Sequence, residues 1–129
     1  GTGSLQHADF VRVEQPSEIR AMMQQARQQG RPVMLDFYAD WCISCKVMER
    51  NVFSKPDVIQ ALAPYTLLQI DMTDNTPEQQ AMLDELGLFG PPAILFYGSN
   101  GEELSQGRVL GEMDREEFLG HLRTLRPEV

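Results

Sequence analysis

The run Val33-Met34-Leu35-Asp36-Phe37-Tyr38-Ala39 is almost unbroken in apolar character. A strand of that composition has no face to offer water, so it has to be covered on both sides, as in sheets flanked by helices. Only Asp36 interrupts it. Just beyond its end stand the chain's two cysteines, Cys42 and Cys45, in Trp41-Cys42-Ile43-Ser44-Cys45-Lys46.

The remaining elements arrange themselves around that strand. Phe10, Val11 and Val13 alternate and predict a first strand over 9–13. Pro16-Ser17 opens a helix carrying Ile19, Met22, Met23 and Ala26, with Gly30 placed for a left-handed cap and Pro32 barring continuation. A helix holding both cysteines in its first turn is expected to run to Asn51, and Ser54-Lys55-Pro56-Asp57 starts a short one through Leu62. Tyr65 to Met72 reads as a central strand. Thr76-Pro77-Glu78-Gln79 carries a capping box with proline at the first helical position, and Gly87 supplies the stop. Pro92 to Tyr97 is a further strand, joined through Ser99-Asn100-Gly101 to an antiparallel partner over 108–110. Asp114 with Glu117 opens the last helix, with Phe118, Leu119, Leu122 and Leu125 on one side. The expected class is therefore α/β, a central mixed sheet with helices on both faces. Helices between strands imply parallel crossovers, leaving the antiparallel pairing to the closing hairpin.

The chain has 129 residues, enough for one domain with a real core. Gly1-Thr2-Gly3-Ser4 reads as a remnant of cloning, which leaves 5–129 as a single domain. A formal charge of -8 argues against nucleic-acid or anionic-membrane partners. No apolar run approaches a membrane span. The isolated domain is expected to be monomeric.

Two cysteines at i and i+3 lie on one side of a helical turn, close enough to form and break a disulfide without unfolding. At a helix N-terminus the unpaired N–H groups and the macrodipole stabilise a thiolate, so Cys42 is the candidate nucleophile. Cys45, one turn in and expected to be the more buried, would resolve the mixed disulfide. The competing readings are zinc ligation and inert core thiols. Zinc needs four ligands, and the only histidines, His7 and His121, lie near opposite ends. No metal or cofactor beyond the cysteine pair is expected.

Asp36, desolvated in a covered strand, should have a raised pKa and could take the proton of Cys45; the plainer reading is a hydrogen-bonded structural Asp. Glu49 falls on the cysteine side of its helix, where a second negative charge would oppose thiolate formation and favour a reductant. Its plainer reading is an ion pair with Lys46 or Arg50. A cis bond at Pro91-Pro92 would have to be held by the fold, and a rigid trans turn is the alternative. Trp41 reads as a contact surface or a lid on the core edge. The seven methionines read as core filler.

Asp36-Phe37-Tyr38-Ala39-Asp40-Trp41-Cys42, then Cys45-Lys46 and Pro92, resembles the thioredoxins over nearly the whole chain. With Glu49, Phe53-Ser54 and Ala93-Ile94-Leu95-Phe96 added, it looks most like the C-terminal domain of DsbD-type thiol:disulfide interchange proteins. That resemblance implies a thioredoxin fold and a periplasmic address on a bacterial inner-membrane protein. It also implies a two-electron relay from the transmembrane domain of the same protein to its N-terminal periplasmic domain, which reduces isomerases and cytochrome-maturation proteins. It assigns Cys42 and Cys45 as the redox pair, Asp36 and Glu49 as acidic modulators, and Pro92 as the cis proline, with Trp41 and Pro91 on the partner side. Ile43-Ser44 departs from the Gly-Pro of ordinary thioredoxins. Pro91 lacks the N–H that this position usually offers a partner backbone. A free-standing thioredoxin-like reductase and a non-catalytic binding module of the same fold are the alternatives.

Overall fold

The computed structural model describes residues 8–126, so the expectations for 1–4 and for His7 lie outside the described residues. The elements run β1 (Val11–Val13), α1 (Pro16–Gln28), β2 (Val33–Tyr38), α2 (Ile43–Asn51), α3 (Pro56–Ala61), β3 (Thr66–Asp71), α4 (Pro77–Leu86), β4 (Ala93–Tyr97) and α5 (Arg115–Leu125). The sheet order is β1-β3-β2-β4. β2 is buried at every residue, as its composition requires.

Alternation along β2 divides the core in two. Val33, Leu35 and Phe37 point to one face, where Ile19 and Ala26 of α1 and Met82 and Leu83 of α4 cover them. Met34 points to the other, among Met48 of α2, Val58 of α3 and Phe118 and Leu122 of α5. Phe118 is fully buried, with its ring edge-on to Phe53 at 5.5 Å between centroids.

The local stop and start signals act as read. Gly30 and Gly87 adopt φ of 67° and 69°, and Arg31 and Leu88 donate back to the carbonyls of Ala26 and Leu83, which closes both helix ends. Thr76–Gln79 and Asp114–Glu117 form reciprocal capping boxes.

The sheet departs from expectation in three places. β1 is shorter than 9–13 and pairs at the sheet edge, parallel to β3. β4 is antiparallel to β2, so the β3-α4-β4 connection is no parallel crossover. Tyr38 pairs with Asp71 and Phe37 with Ala93, so the connection through α4 leaves and returns at the same end of the sheet. The expected hairpin strand over 108–110 is reduced to two bridges, Ile94 with Val109 and Tyr97 with Glu103. Between them a turn, in which Gly107 donates to the Leu104 carbonyl, lifts the returning chain off the ladder.

Phe118→Ala should destabilise the oxidised domain by about 3–5 kcal/mol, since it empties the aromatic centre of one core. Urea denaturation, read as a midpoint shift at constant slope, checks this.

Candidate active site

β2 delivers the chain to the site, and α2 receives it. Cys42 is the N-cap of α2, with extended backbone, and its Sγ accepts a hydrogen bond from the Cys45 amide at 3.2 Å. Cys42 and Cys45 are joined as a disulfide, with Cα atoms 5.3 Å apart. The helix therefore begins between them, and its first turn holds Cys45 but not Cys42. Both residues are 6% exposed, so the disulfide form does not make Cys45 the more buried. Cys45 Sγ lies 3.7 Å from the Phe37 carbonyl oxygen.

Around the pair, Trp41 is 59% exposed and is pinned by its Nε1–H to the Thr73 carbonyl at 3.1 Å, which makes it a surface feature and not a lid. Ile43 is exposed beside it. The Pro91–Pro92 bond is cis. Pairing of Phe37 with Ala93 places Pro92 at the end of the sheet from which the cysteine loop departs.

Asp36 sits in the middle of β2, on the face turned toward α2, and is 6% exposed. Burial pushes its pKa up to about 7, against the pull of a hydrogen bond from Gln69; the negative charge of Glu49 raises it further, and Arg12 lowers it. Gln69 is its register partner on β3 and donates Nε2–H to Asp36 Oδ2 at 2.6 Å. The same nitrogen lies 3.4 Å from Glu49 Oε2. Glu49 pairs with neither Lys46 nor Arg50 but with Arg12, whose Nη2 is 3.2 Å from Glu49 Oε2. Asp36 and Glu49 thus join one network through Gln69, beneath the helix that carries the cysteines. Lys46, one residue past Cys45, donates to the Tyr38 hydroxyl at 3.1 Å, and that hydroxyl donates to Asp40.

Among the described residues no group of three or more His, Cys, Asp or Glu could hold a metal. His121 is engaged elsewhere, with Nε2 2.7 Å from the Gly107 carbonyl oxygen. The chemistry these groups can perform is thiol–disulfide exchange.

Residues 15–99 match a family described as thioredoxin-like. The C-terminal domain of Neisseria meningitidis DsbD in its oxidised form is 36% identical, superposes with a TM-score of 0.76, and is covered over its whole length by 92% of this chain. The chain belongs to the thioredoxin-like family and, within it, to the DsbD C-terminal domains. The reduced form of the Neisseria domain gives a TM-score of 0.75 at 37% identity, covering 88% of this chain and 98% of that one. The thiol:disulfide interchange protein DsbD 1 of Pseudomonas aeruginosa is 50% identical over 108 residues, 84% of this chain and 18% of its own. DsbD of Klebsiella pneumoniae is 48% identical over 117 residues, 91% of this chain and 19% of its own. The chain thus spans about a fifth of the length of the curated relatives it matches.

Two members of the DsbD-like site escaped the sequence reading. Gln69 carried a signal, a polar residue inside Leu67-Leu68-Gln69-Ile70, but only the sheet register shows that it faces Asp36. Arg12 carried none, since an Arg between two valines in a short edge strand is ordinary.

Burial of Asp36 has a thermodynamic consequence. Its folded pKa lies above its unfolded one, so between about pH 4 and pH 7 the folded state holds the proton that the unfolded state releases, and stability falls as pH rises through that window. Asp36→Asn should therefore stabilise the oxidised domain at pH 8 by roughly 3–4 kcal/mol, with the advantage shrinking to nothing as pH falls toward 4. Equilibrium unfolding of both proteins across pH 4–8 checks the sign and the window.

Proposed function

We propose that residues 5–129 form one thioredoxin-like domain of a longer membrane protein, a disulfide reductase that relays two electrons through Cys42 and Cys45 on the periplasmic side. The observation that carries this reading is a disulfide closed across the N-cap of α2, with a buried carboxyl of pKa about 7 on the sheet face that α2 covers. The electron donor is the membrane-embedded domain, and the acceptor is the N-terminal periplasmic domain that serves isomerases and cytochrome maturation. What supports a domain within a longer interchange protein is that the chain matches about a fifth of the length of DsbD relatives; the donor and acceptor follow from the family resemblance alone.

In the first half-reaction a donor thiolate attacks Cys42 Sγ, and the Cys42–Cys45 bond breaks. The Cys45 thiolate leaves and takes a proton from Asp36. The donor's second thiolate then attacks the mixed disulfide, which forms the donor disulfide and frees Cys42. In the second half-reaction the Cys42 thiolate, stabilised by the α2 N-terminus, attacks the acceptor disulfide and releases one acceptor thiolate. Asp36 recovers the Cys45 proton, and Cys45 attacks Cys42 Sγ, expelling the second acceptor thiolate and restoring the internal disulfide. Two electrons pass per cycle. Glu49, and Asp36 when ionised, oppose build-up of thiolate charge on the pair, which favours the oxidised form and so makes the domain a reductant.

Trp41, Ile43 and the Pro91–Pro92 turn form the partner-facing rim. Pro91 has no N–H to give a partner's backbone, so recognition there rests on its carbonyl and on apolar contact.

Cys42→Ala should abolish exchange while leaving the fold intact, and Cys45→Ala should accumulate a mixed disulfide with the acceptor domain, visible on non-reducing gels. Undiminished exchange by Cys42→Ala would overturn the assignment of the nucleophile.

A further inference from the structure

Arg12 reaches from the edge strand β1 into the network under α2 and is held at three points. Its Nε donates to Gln69 Oε1, its Nη2 to Glu49 Oε2 at 3.2 Å, and its guanidinium carbon lies 4.1 Å from the Tyr38 ring centroid. The first contact decides the orientation of the Gln69 amide. With Oε1 engaged by a donor, Nε2 is the end presented to Asp36 and Glu49. An amide turned end for end would set its oxygen against two carboxylates and leave Arg12 facing a donor. The second contact offsets the charge of Glu49, the nearest anion to Asp36 along this network.

The same residues form the border between the buried carboxyl and water. Arg12, Glu49 and Gln69 line a cleft of about 600 Å³, together with Lys46, Arg50 and Asp9. Gln69 itself is 1% exposed, whereas the Arg12 side chain is 43% exposed.

We propose that Arg12 is a positioning residue for disulfide exchange: by fixing the Gln69 amide and offsetting Glu49, it sets how readily Asp36 releases and recovers its proton, without touching either sulfur. The inference rests on the reading of Asp36 as the proton carrier for Cys45. The charges that act on Asp36 are those of Glu49 from α2 and Arg12 from β1, while Asp9, Lys46 and Arg50 line the neighbouring cleft and Tyr38 follows two residues on along its own strand. β4 opposes it with apolar Ile94, and α3 and α5 turn Val58, Phe118 and Leu122 to this core. Lys46 is committed to the Tyr38 hydroxyl, and Arg12 is the cation paired with Glu49 and bonded to Gln69.

The test is the reduction potential of the domain, measured by equilibration with dithiothreitol from pH 5.5 to 9, where the slope changes as a redox-linked group titrates. Arg12→Met should move the break assigned to Asp36 upward by roughly half to one pH unit, the modest size reflecting a half-exposed charge. Arg12→Lys keeps the charge but cannot hold both contacts, and should show part of that shift. A wild-type profile in Arg12→Met overturns the proposal, and a wild-type profile in Arg12→Lys overturns the positioning role in favour of charge alone. Asp36→Asn, run in parallel, separates the two levels. Loss of the break supports the proton-carrier reading on which the proposal rests, and a break that survives removes that reading whatever Arg12 does.

Discussion

Asp36 is a carboxylic acid placed in the one strand, among the described residues, that is buried at every position. β2 is buried at all its positions because it stands between two cores, and it also delivers the chain to the cysteine loop. An ionised carboxylate there would lose its hydration, a cost of several kcal/mol, and a single hydrogen bond from Gln69 offsets only part of it. The group responds by holding its proton to about pH 7. Register makes this possible: Asp36 pairs directly with Gln69, so the acid and its donor share one face of the sheet beneath α2.

Two electrostatic influences of opposite sign then meet at the sulfur pair. The N-terminus of α2 favours negative charge on Cys42, an effect of about 0.3–1 kcal/mol for an exposed group and up to ~2 when partly buried. Negative charge on Asp36 and Glu49, on the side of the sheet that α2 covers, opposes it. Because Asp36 is only half ionised near neutrality, the balance shifts with each proton it exchanges. Arg12, from the edge strand β1, and Gln69, from the central strand β3, hold the arrangement together.

Features set by neighbouring residues were readable from the sequence. The stops at Gly30 and Gly87, the capping boxes at Thr76 and Asp114, the covered strand and the cysteine turn all follow from local chemistry, and each is in place. Features set by distant pairing were not. The antiparallel return of β4 depends on the α4 connection starting and ending at the same end of the sheet, and helix-between-strands logic assigns the other direction. The hairpin thinned to two bridges because a turn at Leu104–Gly107 interrupts it, which alternation alone does not reveal. The cation of Glu49 comes from β1, 37 residues away, and not from the adjacent Lys46 or Arg50. The site was legible in the cysteines and the acid, and illegible in the two residues that tune the acid.

The central claim is that a buried, titrating carboxyl stands on the sheet face covered by the helix of the disulfide, and the most direct measurement is a carboxyl-13C NMR titration of Asp36 in the oxidised domain. The account predicts a midpoint near pH 7. A midpoint in the ordinary carboxylate range, near pH 4, would contradict it, because Asp36 would then be ionised throughout the working range and could not carry a proton for Cys45.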